Sequence, residues 1–367
     1  MKIALVHDYL VQYGGAERVL ECFCELYPEA PIYTLVHDKE VMRGHFADRR
    51  IYTSFLQKMP FSRAHHRLFP LLMPSAIESF DFSAYDVVLS DSSSYAKGII
   101  TKPHTLHICY MHTPMRYAWD DCQKYTRDFH FPSFIKKLVP WAMNPIRLWD
   151  RASADRVDKI IANSGFVAKR IAKYYRREAE VIHPPVMLDR FHPQEDRNEG
   201  YYLMVGRLIA YKRTDIAIEA FNKMGLPLKI VGRGPELKRL QKKAAENIEF
   251  CGRLSDEELA AAYRGCRAVV FPQEEDFGIV AIEALASGKP LIAFAGGDIV
   301  EHVKEAQTGV LFGEQSPASI IDAVRRFEKM EFDGAKCRAV AKKFDREEFK
   351  RKIKEYVERE VAKHKDM

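Results

Sequence analysis

Short apolar runs alternate with longer amphipathic stretches along most of the chain. This alternation is typical of parallel sheets whose strands are joined by crossover helices. In the first half, the runs predicted as strands are residues 3–6, 32–35, 87–89, 106–109 and 159–162. In the second half, they are residues 201–205, 228–231, 248–250, 268–271 and 291–293. The pattern therefore predicts an α/β protein with two doubly wound, Rossmann-like domains.

A proline-rich stretch separates the two halves and sets the predicted domain boundaries. Its prolines interrupt regular structure and stiffen the connection. We predict a first domain over residues 1–183, a linker over 184–199 and a second domain over 200–342. Residues 343–367 are highly charged and carry apolar positions at helical spacing. This spacing predicts an amphipathic C-terminal helix.

Two carboxylates bracket the start of a short predicted helix, Glu275 in the preceding loop and Glu283 one turn inside. Helical side chains lean toward the N-terminus, so Glu283 should point back at the loop. Between the two, the amides of Gly278, Ile279 and Val280 lack intrahelical acceptors and form a phosphate-sized anion site. An anion flanked by acceptors for vicinal diols indicates a sugar nucleotide. The alternative is a capped surface helix with two solvated glutamates.

Two cations, Arg207 and Lys212, follow the first strand of the second half. They lie on one loop at the carboxyl edge of the predicted sheet, where ligands collect, and can clamp a diphosphate. Surface cations are also often just solvated. Residues 232–236 carry only part of a dinucleotide fingerprint, so NAD binding is not expected. The spacing after the third strand is typical of a turn made of Cys251, Gly252, Arg253 and Leu254.

In the first half, Gly14 and Gly15 open a helix after the first strand. They either let the backbone approach a phosphate or an acceptor hydroxyl, or simply form a tight turn. His112 comes directly after the fourth predicted strand, again at a carboxyl edge. A lone histidine in such a place is more often structural than functional, so both interpretations stay open.

Glu275 and Glu283, together with Phe277, Gly278, Ala284 and Gly288, resemble the E-x7-E signature of the retaining glycosyltransferases of family 4. The resemblance implies the GT-B fold, in which two Rossmann-like domains face a cleft and a C-terminal helix crosses back to the first domain. It also implies a nucleotide-sugar donor held mainly by the second domain and an acceptor held by the first.

The resemblance implies a role for each candidate residue. Arg207 and Lys212 would hold the diphosphate, Glu275 would orient the sugar, and Glu283 would bind the ribose. The backbone of residues 251–254 would contact the nucleobase, while Phe277 and residues 278–280 would complete the donor site. The paired glycines 14 and 15 resemble the N-terminal glycine loop of the same family.

The segment that begins at His112 (His-Thr-Pro-Met-Arg-Tyr) and the pair Pro184-Pro185 resemble a mannosyltransferase subgroup whose histidine contacts the donor sugar. This favours transfer of mannose from GDP-mannose to a glycan or lipid-linked glycan in cell-surface polysaccharide biosynthesis. A UDP-sugar donor is the alternative. A nucleotide-sugar epimerase and a non-catalytic scaffold of glycan assembly also stay open. No separate cofactor is expected.

No two aspartates in the sequence are separated by a single residue. The Asp-x-Asp pair with which other glycosyltransferases present a metal to the diphosphate is therefore missing, and we expect transfer without a metal. The seven cysteines include no C-x-x-C pair, which predicts neither a zinc site nor a disulfide framework.

The net charge of +6 over 367 residues comes without a recognisable nucleic-acid module, so no nucleic-acid partner is expected. The absence of a membrane-spanning run and of a secretory signal predicts a cytoplasmic protein. Residues 55–74 and 129–149 mix aromatic, aliphatic and basic side chains. They are expected either to contact anionic lipid at the inner face of the cell membrane or to pack on the sheet.

Overall fold

The computed structural model of the chain describes residues 1–120, 133–193 and 199–365. The chain forms two compact units. The first unit consists of Met1–Pro184 together with Phe349–Met367, and the second unit consists of Pro185–Glu348. Each unit has its own parallel sheet and its own core.

The sheet of the first unit has seven parallel strands. They are β1 (Ile3–His7), β2 (Ile32–Thr34), β3 (Ile51–Thr53), β4 (Val87–Ser92), β5 (Leu106–Met111), β6 (Lys159–Ala162) and β7 (Glu180–Val181). Their order is β3-β2-β1-β4-β5-β6-β7, so the direction of winding reverses between β1 and β4. In open α/β sheets, ligands bind outside the carboxyl ends of the strands at such a reversal.

The sheet of the second unit has six parallel strands. They are β8 (Tyr202–Val205), β9 (Leu228–Val231), β10 (Ile248–Gly252), β11 (Val269–Phe271), β12 (Leu291–Phe294) and β13 (Gly309–Phe312). Their order is β10-β9-β8-β11-β12-β13, with the reversal between β8 and β11.

Helices cover the two sheets. The described α-helices are α1 (Gly15–Leu26), α2 (Lys39–Met42), α3 (Ser62–His65), α4 (Met73–Glu78), α5 (Ser133–Asp155), α6 (Gly165–Tyr175), α7 (Thr214–Met224), α8 (Leu237–Gln241), α9 (Asp256–Gly265), α10 (Ile279–Ala286), α11 (Pro317–Phe327), α12 (Gly334–Ala341) and α13 (Arg346–Lys365). Short 3-10 turns are Phe55–Lys58, His66–Leu68, Ala96–Gly98, Ala210–Lys212, Asp298–Glu301 and Lys342–Phe344.

Both faces of the first sheet are buried, which explains why its strands read as nearly continuous apolar runs. Leu5 belongs to the core formed with α1 and α13, whereas Val6 belongs to the core formed with α4. From Phe349 onward, α13 belongs to the first unit. The ring of Phe349 stacks on that of Phe23 in α1, with 6.1 Å between centroids. The apolar stripe of this helix is therefore what anchors it.

The predicted fold class is confirmed, because both units are doubly wound parallel α/β structures. The prediction misses the three strands β3, β7 and β13. β7 has only two residues, both exposed, and β3 is a half-exposed edge strand, so neither presents a clear apolar run. The prediction also ends β4 and β5 too early, since β4 continues through the polar residues Ser90, Asp91 and Ser92. Part of the predicted linker, residues 194–198, lies outside the described residues.

Candidate functional site

The start of α10 lies at the carboxyl edge of the second sheet, shortly after β11. Gly278 precedes the helix with φ 81° and ψ 54°, in the left-handed region that favours glycine. A Cβ at this position would lie 3.1 Å from Cζ of Phe271. Within the described part of the chain, the amides of Gly278, Ile279 and Val280 have no backbone acceptor. The helix start can therefore bind an anion.

Lys212 and Glu275 form an ion pair near this helix start, in which Nζ of Lys212 donates to Oε1 of Glu275. The two side chains are 12% and 20% exposed, so the pair is mostly withdrawn from water. The backbone of Glu275 is also fixed, because its carbonyl accepts a hydrogen bond from the amide of Asp298 at 3.1 Å. A Cβ on Gly297 would lie 2.3 Å from that carbonyl oxygen. The glycine loop after β12 thus packs directly on the loop of Glu275.

Arg207 is exposed on the loop after β8, and no described acidic residue forms an ion pair with it. Glycines after β9 hold this loop in place. A Cβ on Gly232 would lie 1.9 Å from the carbonyl oxygen of Gly206. A Cβ on Gly234 would lie 2.1 Å from that of Leu208. The glycines of the partial dinucleotide fingerprint therefore allow the loop that carries Arg207 to pack closely against them.

β10 extends to Gly252, so Cys251 and Gly252 end the strand instead of forming the predicted turn, and Arg253 and Leu254 follow at the same edge of the sheet. Gly252 has φ 68°, and its carbonyl accepts a hydrogen bond from the amide of Gly232 at 2.7 Å. Cys251 and Leu254 are half-buried, and Arg253 is exposed. A backbone hydrogen bond thereby connects the end of β10 to the glycine loop after β9.

Glu283 and Phe277 are buried. Glu283 is 3% exposed, and its Oε2 accepts a hydrogen bond from the Tyr263 hydroxyl at 3.0 Å. The same hydroxyl lies 3.4 Å from the carbonyl oxygen of Val280, so it connects Glu283 to the first turn of α10. Phe277 is 5% exposed and packs edge-on against Phe344, with 5.3 Å between ring centroids. Phe277 therefore supports the loop from the core side.

In the first unit, β1 and β4 end side by side, and His7 pairs in register with Asp91. Nδ1 of His7 donates to Oδ2 of Asp91 at 2.8 Å. Nε2 of His112, the residue directly after β5, donates to Oδ1 of the same carboxylate. The Asp91 side chain is fully buried, and that of His112 is 13% exposed. One buried carboxylate therefore holds two imidazoles.

His7 also faces Glu17 of α1, with 3.6 Å between Nε2 and Oε1. Oε2 of Glu17 accepts a hydrogen bond from the amide of Gly14 at 2.8 Å. Gly15 follows as the first residue of α1. The glycine loop and the histidine that the sequence predicts are thus joined through three further side chains, those of Glu17, His7 and Asp91.

The charges in this buried cluster follow from its contacts. Burial alone would lower the pKa of His7, but hydrogen bonds to Asp91 and Glu17 outweigh it and raise the pKa to about 10. Burial would raise the pKa of Asp91, yet the charges and hydrogen bonds of His112 and His7 hold it below its usual value. Sequence reasoning misses His7 and Asp91. A signal for them exists in the sequence: both strands begin with apolar residues, and His7 is the last residue of β1 while Asp91 is the next-to-last residue of β4.

The segment after β5 is braced by two helices. Arg170 of α6 donates to Oγ1 of Thr113 at 2.5 Å and also to the carboxylate of Asp120. Nε1 of Trp119 donates to Oδ2 of Asp150, in α5, at 2.7 Å. These contacts keep the chain that leaves β5 close to the sheet edge.

The basic aromatic segment 55–74 exposes large apolar side chains: Phe61 is 76%, Leu68 64% and Leu71 53% exposed. Lys58 and Arg63 are exposed in the same segment. Of the second segment, residues 129–132 lie outside the described residues, and Trp141 is 81% exposed. None of the described helices is long and apolar enough to cross a membrane.

Comparison with known proteins gives two family matches. The model described as Glycosyltransferase Family 4 matches residues 13–190, and the model described as Glycosyl transferases group 1 matches residues 188–347. An uncharacterised glycosyltransferase of Methanocaldococcus jannaschii is 30% identical over 196 residues, which are 51% of this chain and 55% of that protein. A D-rhamnosyltransferase of Pseudomonas aeruginosa is 30% identical over 188 residues, 46% of this chain and 49% of that protein. The chain spans about half the length of these curated relatives.

Solved structures show the same fold. Anabaena HepE in complex with UDP and glucose has a TM-score of 0.72 and 18% identity, covering 98% of this chain and 99% of that one. Sucrose-phosphate synthase from Thermosynechococcus elongatus has a TM-score of 0.71 and 17% identity, with the same coverage. Because the two family models together span residues 13–347 and the fold agrees, the chain belongs to the glycosyltransferases of the GT-B fold.

Proposed function

We propose that the chain transfers a sugar from a nucleoside-diphosphate sugar to a glycan or lipid-linked glycan acceptor, with retention of the anomeric configuration. The observation that carries the proposal is the ion pair of Lys212 and Glu275 beside the helix start of α10. A cation and free amides favour a diphosphate, and a fixed carboxylate favours sugar hydroxyls. Arg207, exposed on the loop that leads to Lys212, adds a second cation.

In the proposed reaction, the bond between the anomeric carbon and the diphosphate oxygen breaks, and negative charge develops on the leaving group. Arg207, Lys212 and the amides of α10 stabilise that charge, which is where electrostatic catalysis acts most strongly. The acceptor hydroxyl attacks from the same face and gives its proton to the leaving phosphate oxygen. Glu275 orients the transferred sugar, and Glu283 binds the ribose. His112 contacts the donor sugar, and no enzymic nucleophile is required.

GDP-mannose is the proposed donor, because the segment at His112 and the pair Pro184-Pro185 resemble a mannosyltransferase subgroup. A UDP-sugar is the alternative, since the similar fold of HepE was solved with UDP and glucose. Cell-surface polysaccharide biosynthesis is the proposed setting. The relative from Pseudomonas aeruginosa is a D-rhamnosyltransferase, which agrees with the proposal of sugar transfer.

The experiment is a thermal-shift screen against GDP-mannose, UDP-glucose and ADP-glucose, followed by product analysis with and without acceptor. A ligand present at 100 times its Kd stabilises the folded state by about 2.7 kcal/mol. We expect GDP-mannose to raise the Tm of the wild type by more than that of Lys212→Met. A shift with UDP-glucose alone would overturn the donor assignment. Conversion of the donor without acceptor would identify an epimerase, and binding without any product over a panel of glycan acceptors would favour a scaffold.

We also propose that transfer needs no divalent metal. Two cations and the amides of α10 supply positive charge at the leaving group, and the sequence has no Asp-x-Asp pair. Activity should persist in excess chelator after exhaustive dialysis. If activity vanishes and returns with magnesium or manganese, this account of the leaving group is wrong.

Peripheral attachment to the inner face of the cell membrane is proposed from the exposed segment 55–74. Phe61 and Leu68 are largely exposed, with Lys58 and Arg63 nearby in sequence. Each basic residue near an anionic bilayer contributes roughly 1 kcal/mol, so binding to anionic vesicles should fall at high salt. Phe61→Ser should weaken sedimentation with vesicles, whereas Val300→Ser, an exposed apolar position of the second unit, should not. Equal partition to neutral and anionic vesicles would contradict the proposal.

A further inference from the structure

We propose that Asp91 is a positioning residue for His112, held in turn by His7 and Glu17. In this arrangement Nε2 of His112 keeps its proton toward Asp91, and Nδ1 is the ring nitrogen that contacts a hydroxyl of the sugar substrate. The inference rests on the proposed function for the substrate, but the state of the His112 ring can be measured without turnover.

Two histidines share the carboxylate of Asp91. Asp91 lies wholly out of water and meets Nδ1 of His7 at one oxygen and Nε2 of His112 at the other. An ionised carboxylate only accepts hydrogen bonds, so each of these ring nitrogens must carry a proton. Asp91 therefore selects which nitrogen of His112 is protonated.

Asp91 is itself held by its neighbours in the sheet. It lies in β4 directly beside His7 of β1, at the point where the strand order reverses. His7 faces carboxylates through both ring nitrogens, Asp91 at 2.8 Å and Glu17 at 3.6 Å. A histidine between two carboxylates is a fixed cation, which keeps the charge on Asp91 in a fully buried position.

Contacts on several sides also hold the His112 ring. Its backbone amide donates to the carbonyl of Ser92 at 2.9 Å, which continues the sheet ladder one residue past β5. The Tyr110 ring lies 5.2 Å from the imidazole at an interplanar angle of 72°. Tyr110 is itself anchored, because its hydroxyl donates to the carbonyl of Ile182 at 2.9 Å. Backbone, ring packing and Asp91 thus fix the imidazole from three sides, and no described residue bonds Nδ1.

The orientation of His112 matters because a misplaced contact group lowers the rate of reaction, even where the protein still folds. A displacement of about 1 Å in a positioned group can cost on the order of 100-fold in rate. The proposal therefore predicts that Asp91→Asn, which keeps the shape of the side chain, lowers kcat/KM for sugar transfer by about 10- to 100-fold. The variant His112→Ala should show a loss of similar size.

The decisive experiment combines a double-mutant cycle with nitrogen-15 NMR of the histidine rings at pH 7.5. If Asp91 acts through His112, Asp91→Asn in the His112→Ala background should change kcat/KM by less than about 3-fold. A full additional loss would mean a merely structural role and would overturn the proposal. Ser90→Ala is the matched control, because Ser90 is a buried polar residue of the same strand whose hydroxyl pairs with His107 at 2.8 Å. It should leave kcat/KM near the wild-type value.

The NMR arm stands even if no donor is turned over. In the wild type, Nε2 of His112 should be protonated, and in Asp91→Asn that preference should be lost. A wild-type ring protonated at Nδ1 alone would refute the geometry. If the ring state is as expected but no sugar is transferred with any donor, the proposed function fails and the positioning contact survives. If Asp91→Asn does not fold, the protonation of the His112 ring is compared between the wild type and the variant His7→Gln instead.

Discussion

Removing the charge of Lys212 leaves Glu275 as an unpaired carboxylate at the proposed diphosphate site. Both side chains are mostly withdrawn from water, so the effect on anion binding should be large. Two unit charges about 7 Å apart at an effective dielectric of about 20 interact by roughly 2 kcal/mol, and partial solvent access reduces this to about 1 kcal/mol. Lys212→Met therefore loses about 1 kcal/mol of attraction to the bound diphosphate, while the repulsion from Glu275 remains and is no longer offset. Turnover should fall further, on the order of 100-fold or more (about 2.7 kcal/mol), because the lost charge also stabilises the negative charge that develops on the leaving group.

Removing the charge of Glu275 as well should partly restore binding of the nucleoside diphosphate. In the double variant Lys212→Met with Glu275→Gln, the repulsive carboxylate is gone, so the nucleoside diphosphate should bind about 5-fold more tightly than it binds Lys212→Met alone. Turnover should stay low, because Glu275→Gln by itself also costs on the order of 100-fold through the lost contact to the sugar.

The assay is titration calorimetry with GDP and with UDP, together with initial rates of transfer. Lys243→Met is the matched control, because Lys243 pairs with Glu219 at 3.0 Å in the same unit but both side chains are more than 40% exposed. Such a surface pair contributes about 0–1 kcal/mol, so binding and turnover should not change. Near-normal turnover in both single variants, or a double variant that binds no better than Lys212→Met, would refute the assignment of this pair.

Three other outcomes are expected. Gly232→Ala should destabilise the second unit and lower donor affinity, because a Cβ would lie 1.9 Å from a carbonyl oxygen. Gly44→Ala is the control, since it introduces only the backbone strain of φ 87° and no such overlap. Chemical unfolding and donor titration of both variants test this. Tyr263→Phe should raise the KM for the donor about 5-fold with little change in kcat, because Glu283 loses a hydrogen bond of about 1 kcal/mol that fixes its carboxylate. Burial lowers the pKa of His107 from its usual 6.5 to about 3. Between these two pH values the unfolded state binds a proton that the folded state does not, so the free energy of unfolding falls as the pH drops from 6.5 toward 3. The loss is at most about 1.4 kcal/mol per pH unit. Unfolding of the wild type and of His107→Gln at pH 7.5 and 5 should show a steeper loss in the wild type, and parallel losses would contradict this origin.

Much of the fold can be predicted from the sequence because buried parallel strands must be apolar on both faces. The central strands β1, β4, β5 and β6 are mostly apolar in their first four residues and are predictable. The two-residue edge strand β7 was not, because both of its residues are exposed and its pairing depends on the neighbour that the tertiary fold provides. Periodicity therefore identifies the centre of a sheet better than its edges.

The candidate donor site is partly predictable for a different reason. The helix start at Gly278 has a local signal, since the glycine, the apolar helix and the flanking carboxylates are adjacent in sequence. The pairing of Lys212 with Glu275 has none, because the two residues are 63 positions apart. The burial of Glu283 against Tyr263 cannot be predicted from the sequence either, since a glutamate in a helix is solvated unless another element covers it.

The cluster around Asp91 shows what kind of information periodicity leaves out. His7 and Asp91 are 84 positions apart, and they touch only because β1 and β4 are neighbours in the sheet. Hydrophobic patterns predict strands but not their order, and a different order would have separated the two side chains. The order of a doubly wound sheet is nevertheless restricted, because the first strand lies at the centre and the winding direction reverses beside it. Two strands meet at this reversal: the first strand and the strand that begins the second half of the sheet. Polar residues near the ends of these two strands should therefore be compared as a pair. Applied to this chain, that rule places a histidine and an aspartate together at the ligand-binding edge, and the second histidine follows from the next strand in the same half.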